Sequence, residues 1–260
     1  MGTYSSATRQ GAYEPFELQV ARGQVDGHKT LFKFGINGDV GTSVETVWAQ
    51  GGTYVYPASA TVMKISSSSA DDTFFGGTGA RTIAIFGLDA NYNEISESVL
   101  LDGQTAVNTG NSYLRISRMY VTTAGSGATA VGTIYAGTGT VTSGVPATVY
   151  GMIAIGANQT QMAFWTVPAG YTLYLMGVFF TSANSTANAS TNFQLIQRPL
   201  GGVFRIQSAA RTSGNGDFVI DLHTPLAFTE KTDIEIRAIA SAGASNVSAE
   251  FEGIYIKNPD

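Results

Sequence analysis

RTIAIFGLDANYNEISESVLL, residues 81–101, reads as a complete β-hairpin and sets the fold class of the chain. In its first arm Ile83 and Ile85 fall on one face, with Ala84, Phe86 and Leu88 on the other. The second arm sets Ile95, Glu97 and Val99 against Ser96 and Ser98, and a period of two residues is that of a strand. Between the arms, the stretch from Asp89 to Asn93 supplies turn formers whose side chains hydrogen-bond their own backbone.

The same pattern continues on both sides. Short runs rich in Val, Ile, Thr, Tyr and Phe alternate with glycine pairs such as Gly51-Gly52, Gly76-Gly77 and Gly201-Gly202, as in sandwiches and barrels. A second hairpin is expected to join residues 202–210 to 217–222, with Asn215-Gly216 supplying the positive φ of its turn. Further strands are expected at 113–122, 131–136, 148–155, 161–167, 171–181, 192–198, 234–240 and 247–256. No amphipathic helix longer than two turns is evident, because Leu, Glu and Lys are too sparse and scattered.

The expected fold is therefore all-β: two antiparallel β-sandwich domains preceded by an extended N-terminal arm. The arm covers 1–40, where periodicity is weak and charge is mixed. The first sandwich covers 41–145 and the second, jelly-roll-like, 146–260. One interleaved β-domain is the alternative. Residues 122–147 and 181–191, nearly free of charge, read as loops.

Composition narrows the functional classes. Only 13% of the residues are Asp, Glu, Lys or Arg, about half the usual share. Charge normally keeps a domain solvated and apart from its neighbours, so the shortage points to an assembled, structural protein. A net charge of −5, with 14 scattered Lys and Arg, offers no basic track for nucleic acid. With no cysteine there are no disulfides, thiolate metal sites or cysteine nucleophiles. No stretch approaches the roughly 20 apolar residues that cross a bilayer, and residues 1–18 lack the charge-then-apolar pattern of a secretory signal.

Candidate chemistry is thin, and no enzymatic activity or cofactor is expected. His223 and Asp221 with a serine would make a triad, but no G-x-S-x-G elbow accompanies them. Glu94 with Glu97, or Glu235 with Glu250, are the carboxylate pairs to test against glycoside chemistry. Asp71-Asp72, after four serines, reads as a solvated loop. Asp89, Asn91 and Asn93 open like a calcium loop, but Glu94 stands where glycine is needed and Leu100 where glutamate is needed. Asn158, Asn184, Asn188 and Asn246 begin glycosylation patterns that, without a secretory signal, read as surface and turn chemistry.

Aromatic residues give the stronger signal. Tyr13, Phe16, Phe32, Phe34 and Trp48 cluster in the arm and just after it, where no local core can bury them. They are the candidate partner-binding residues.

Several stretches are similar to predicted structural proteins in the genomes of tailed phages of marine and freshwater bacteria. These are ARGQVDGHKTLFKFG (21–35), ETVWAQGGTYVYPASA (45–60) and GTGARTIAIFGLDANYNEISESVLLDGQTAV (77–107), continued by TVPAGYTLYL (166–175) and PLAFTEKTDIEIRA (225–238). The resemblance implies a virion component, assembled in the bacterial cytoplasm, with no catalytic residues. It implies a homo-oligomer, for which a trimer is one fitting arrangement, in contact with major capsid or tail proteins. A capsid decoration or cement role is the first expectation. A collar, tail or fibre position that contacts the host surface or a host glycan is the second.

Overall fold

The computed structural model describes residues 14–259. One short helix, α1 (Phe16–Ala21), precedes β1 (His28–Val40) and β2 (Glu45–Thr46). Seven strands follow: β3 (Thr61–Ser67), β4 (Ala80–Leu88), β5 (Glu94–Leu100), β6 (Val107–Tyr113), β7 (Arg115–Ala124), β8 (Ile134–Thr142) and β9 (Val145–Ile153). Then come β10 (Phe164–Thr166), β11 (Tyr171–Asn184), β12 (Ser190–Arg198) and β13 (Arg205–Ser213). Last are β14 (Gly216–Phe228), β15 (Asp233–Ala240) and β16 (Ser245–Lys257). The all-β expectation holds.

Residues 28–40, read from sequence as part of an extended arm, are instead a paired strand. β1 runs antiparallel to β16 from His28↔Ile256 to Asn37↔Val247. One sheet has the order β1-β16-β11-β14, and its partner has the order β10-β15-β12-β13 with β2 also on β15. Counting β1 and β10 to β16 as strands one to eight, the two sheets read 1-8-3-6 and 2-7-4-5. That is the jelly-roll order. Its core is shared between the sheets and includes Leu175, Phe180, Phe193, Phe228, Ile236 and Phe251, with the Phe180 and Phe193 rings stacked 4.8 Å apart.

The second strand of this jelly roll is interrupted. β2 pairs Thr46 with Arg237, and β10 resumes along the same neighbour with Phe164 opposite Glu235. The chain leaves at Val47 and returns at Ala163, which donates its N–H to the Val47 carbonyl at 2.9 Å. The departing and returning segments pair once more at Trp48↔Met162. Gly35 on β1 lies against this exit, where an added Cβ would come within 2.2 Å of the Val47 oxygen. Only glycine fits there.

β3 to β9 form a second sandwich between those two points, with sheets β6-β3-β8-β9 and β5-β4-β7. Its core includes Met63, Ile65, Ile83, Ile85, Ile116 and Met119. The hairpin at 81–101 is β4 and β5, in the register Ile83↔Val99 and Ile85↔Glu97. The jelly roll is thus assembled from both ends of the chain around an internal unit, and the two domains do not follow one another along the sequence.

Two of the expected loops are largely strand. β8 runs on to Thr142 from a strand expected only over 131–136, and 182–184 and 190–191 extend β11 and β12, leaving only five residues between those two strands. Gly137, Ala183 and Asn184 carry little strand propensity of their own, and pairing with Val149, Asn246 and Ser245 holds them in the ladders. At the turn after β13 the positive φ belongs to Gly214, at 63°, and not to Asn215-Gly216. No helix among the described residues is long and apolar enough to cross a membrane.

Candidate functional site

The sequence TDIEIRA at 232–238 alternates, and both halves of its pattern are buried except for the half-buried Arg237. Ile234, Ile236 and Ala238 enter the jelly-roll core. Asp233, Glu235 and Arg237 take the opposite face of β15. That face is covered by the inserted unit, so a strand that reads as half-solvated becomes the floor of a junction.

Asp233 is the centre of that junction. Arg115, the first residue of β7, grips it with two parallel bonds, Nε to Oδ1 at 2.9 Å and Nη2 to Oδ2 at 3.1 Å. Arg198, at the end of β12, adds Nε at 3.1 Å and Nη2 at 2.6 Å to Oδ2. The Thr166 hydroxyl donates to Oδ1 at 2.6 Å. The remaining Arg115 amino group donates to the carbonyls of Pro57 and Leu114. Burial works against the charge on Arg115, and the Asp233 carboxylate outweighs it, leaving the guanidinium above its ordinary value.

Glu235, two residues along, accepts from the Thr46 hydroxyl at 2.5 Å, from Arg237 Nε at 2.8 Å and from the Tyr56 hydroxyl at 3.2 Å. The Tyr56 ring has the guanidiniums of Arg115 and Arg198 at 4.9 and 4.6 Å. Burial, reinforced by the neighbouring Glu235, pushes its phenol well above the ordinary value. Above this layer opens a cleft of about 690 Å³ between the two units. Tyr56, Ser59, Tyr92, Arg198 and Lys231 are among its lining residues.

Further contacts tie the units together. At the tip of the 81–101 hairpin, the Tyr92 carbonyl accepts from Ala169 N–H at 2.9 Å. Glu94 receives Lys29 Nζ at 2.5 Å and the Tyr255 hydroxyl at 3.1 Å. Lys33 on β1 donates to the Ser117 carbonyl at 2.5 Å, and Arg118 returns a bond to the Phe32 carbonyl at 2.9 Å. Burial, with Arg118 alongside, lowers the Lys33 amine to about 7.

The outer face of the β1-β16-β11-β14 sheet carries the second feature. Phe32 sits beside Glu252, and Phe34 beside Glu250, which is followed across the sheet by Phe179 and Val219. Phe32, Phe179 and Val219 line one depression of about 240 Å³ with Asp221, Glu250 and Glu252. None of these three carboxylates forms an ion pair among the described residues.

The sequence-selected aromatics divide accordingly. Phe32 (49% exposed) and the half-buried Phe34 are on this outer face. Phe16 (47% exposed) sits on α1 with its ring edge-on to His28, at the start of β1. Trp48 is 4% exposed and packs with Tyr54 and Phe164 in the core of the inserted unit, so it has no surface to offer a partner. Tyr13 lies outside the described residues.

The catalytic candidates do not converge. His223 and Asp221 are both exposed on the edge strand β14. Glu97 binds the Gly110 and Asn111 amides and the Tyr113 hydroxyl, away from the Glu94 cluster. Glu235 is in the junction while Glu250 is on the far sheet. Asp89 accepts from the backbone of Asn91 and Asn93 and from the Asn93 amide, as a turn-forming side chain does. Asp72, read from sequence as solvated, is fully buried. Asp233, Arg115 and Arg198 were not singled out from sequence. The available signal was an acid and a base alternating with isoleucines in a chain poor in charge.

No protein-family model matches the chain, and no characterised protein matches it in sequence. Among solved structures, it is similar to VP2 of infectious bursal disease virus in a subviral particle. The match covers 97% of this chain and 76% of that chain, with 11% identity and a TM-score of 0.21. The Gx strain of the same virus gives 9% identity, 89% and 76% coverage and a TM-score of 0.25. The Gt strain gives 11% identity, 89% and 73% coverage and a TM-score of 0.20. Superpositions at this level carry no argument about topology or task.

Proposed function

We propose that this chain is a non-catalytic structural component of a tailed-phage virion, a capsid decoration protein that assembles with copies of itself. The observation that supports the reading most directly is the outer sheet face, where Phe32, Phe34, Phe179 and Val219 lie together beside carboxylates that have no ion pair among the described residues. Apolar surface of this kind is characteristic of a contact. Jelly rolls serve as capsid and lectin domains, and the fold alone does not choose between them.

The acidic side chains select the kind of contact. Two such faces set against each other would place Glu250, Glu252 and Asp221 against like charges, which is unfavourable. A segment with aromatic rings and a cation but no acid is complementary. Residues 1–13 of the chain fit, with Tyr4, Arg9 and Tyr13 and no Asp or Glu. The N-terminal segment of one copy would lie on the sheet face of its neighbour.

Deleting residues 2–13 tests this. The shortened chain is expected to keep its folded circular-dichroism spectrum and to lose its oligomer in sedimentation, as is Phe32→Glu. An oligomer unchanged in both variants would overturn the contact. Copy number in purified particles separates the positions: hundreds per virion fit decoration, and about a dozen fit a collar, tail or fibre site.

A further inference from the structure

The junction cleft holds more positive charge than its own carboxylate uses. Of its lining residues Arg115, Arg198 and Lys231 are cationic and Asp233 alone is acidic. Asp233 is saturated by five donors, and Arg115 is spent on it and on two carbonyls. Two groups are left over. Arg198 engages Asp233 through Nε and Nη2 only, so its Nη1 amino group has no acceptor among the described residues. Lys231 has no side-chain acceptor among them either. A surplus of two positive groups, concentrated in a concavity of a chain with net charge −5, is a local field that favours an anion.

We propose that this cleft binds a small carboxylate-bearing ligand of the size of an acidic mono- or disaccharide. The carboxylate would take the free Arg198 amino group and the Lys231 ammonium. Size is the first reason: about 690 Å³ lies within the range of small-molecule sites and is larger than one protein side chain fills. The lining is the second. Hydroxyls of Tyr92 and Ser59 and the apolar surfaces of Leu114, Pro199 and Leu200 suit a ligand with both polar edges and carbon faces. The floor is also rigid, since the Asp233 network fixes Arg198 before any ligand arrives, which lowers the ordering cost of binding. The cleft is separate from the outer sheet face, so this proposal does not rest on the assembly reading.

Titration of the full chain with D-glucuronate, followed by calorimetry or amide chemical shifts, tests the site, with D-glucose as the neutral control. Saturable binding of glucuronate and none of glucose is expected, with shifts at Lys231, Arg198 and Tyr92. Lys231→Asn removes the ammonium while keeping a residue that accepts the local φ of 61°. It is expected to weaken glucuronate about tenfold with the melting temperature unchanged. Absence of glucuronate binding, equal binding of glucose, or equal affinity in Lys231→Asn would each overturn the proposal. Binding of an acetylated aspartyl dipeptide in place of glucuronate would overturn it in favour of a carboxylate supplied by a neighbouring protein.

Discussion

Asp72 and Asp233 are both buried carboxylates, and they are neutralised in opposite ways. Among the described residues Asp72 meets no cation: Oδ1 accepts from the amides of Ala80 and Val131 at 2.7 and 3.0 Å, and Oδ2 from Gly132 N–H at 2.8 Å and the Ser67 hydroxyl at 2.6 Å. All four donors belong to the inserted unit, so Asp72 organises the loops of a single sandwich. Asp233 is held by side chains, with Arg115 from the inserted unit and Thr166 and Arg198 from the jelly roll. The first carboxylate shapes one domain; the second joins two. A backbone cradle is specific to local loop geometry, whereas long guanidinium side chains can reach between bodies and stay paired.

Removing Asp233 is the severest way to break this contrast. Asp233→Ala leaves Arg115 buried with its charge uncompensated, a loss of about 3–5 kcal/mol. Urea unfolding should then separate into two transitions, and hydrogen exchange should speed up on both sides of the junction. A single transition shifted by less than 1 kcal/mol would show that the clamp does not couple the units.

Asp72 offers the matched experiment. Asp72→Asn retains one acceptor oxygen and replaces the other with a donor facing donors, which should cost about 2–3 kcal/mol. Faster exchange should be confined to the inserted unit, with β11 and β16 unaffected. Gly79→Ala should reproduce this pattern, because an added Cβ would lie 2.2 Å from Asp72 Oδ1. Exchange that spread into the jelly roll would erase the distinction between a local and a bridging carboxylate.

Lys33 is a third buried charge, with the Ser117 carbonyl as its one acceptor among the described residues and Arg118 as a like-charged neighbour. Its folded value near 7 lies below the ordinary 10.5, so between those values the unfolded chain binds more protons than the folded one. Stability therefore rises as pH increases from about 7 to about 9.5, by about 1 kcal/mol per pH unit. Above about pH 10 the trend reverses, because burial raises Tyr54, Tyr56, Tyr113 and Tyr255, and their unfolded forms ionise first. Lys33→Met should flatten the rise below pH 9.5 and be more stable than the parent at pH 7. A parent protein with no slope between pH 7 and 9 would rule this out.

Much of the architecture was legible because local patterns carried it. The 81–101 hairpin declared itself by alternation, and most strands after residue 148 were placed within a few residues by their β-branched and aromatic runs. What was missed depends on distance along the chain. Nothing in residues 28–40 reveals that their partner is 245–257, and nothing in Val47 and Ala163 reveals that they are adjacent points of one strand. Burial of polar groups was hidden for the same reason. Asp72 and Asp233 look like surface acids until the donors that surround them, 118 residues away for Arg115, are folded into place. Charges alternating with isoleucines on β15 were the legible trace of a covered face. Weighing them against the chain's general lack of charge would have marked them.

The smallest expected effect distinguishes the two arginines of the clamp. Arg115 already covers both oxygens of Asp233 and its pair is 8% and 4% exposed, whereas Arg198 is 29% exposed and bonds one oxygen. Arg198→Met leaves Asp233 paired and keeps an unbranched side chain near the Tyr56 and Phe204 rings, so it should cost about 1 kcal/mol. Arg115→Met leaves Asp233 with Arg198 alone and frees the Pro57 and Leu114 carbonyls, so it should cost about 3 kcal/mol. A double-mutant cycle of each arginine with Asp233 isolates the coupling from the lost packing. Equal couplings would mean that the junction is held by a symmetric pair. A large Arg115 term beside a small Arg198 term would mean that one arginine fastens the units while the other keeps a free amino group at the mouth of the cleft.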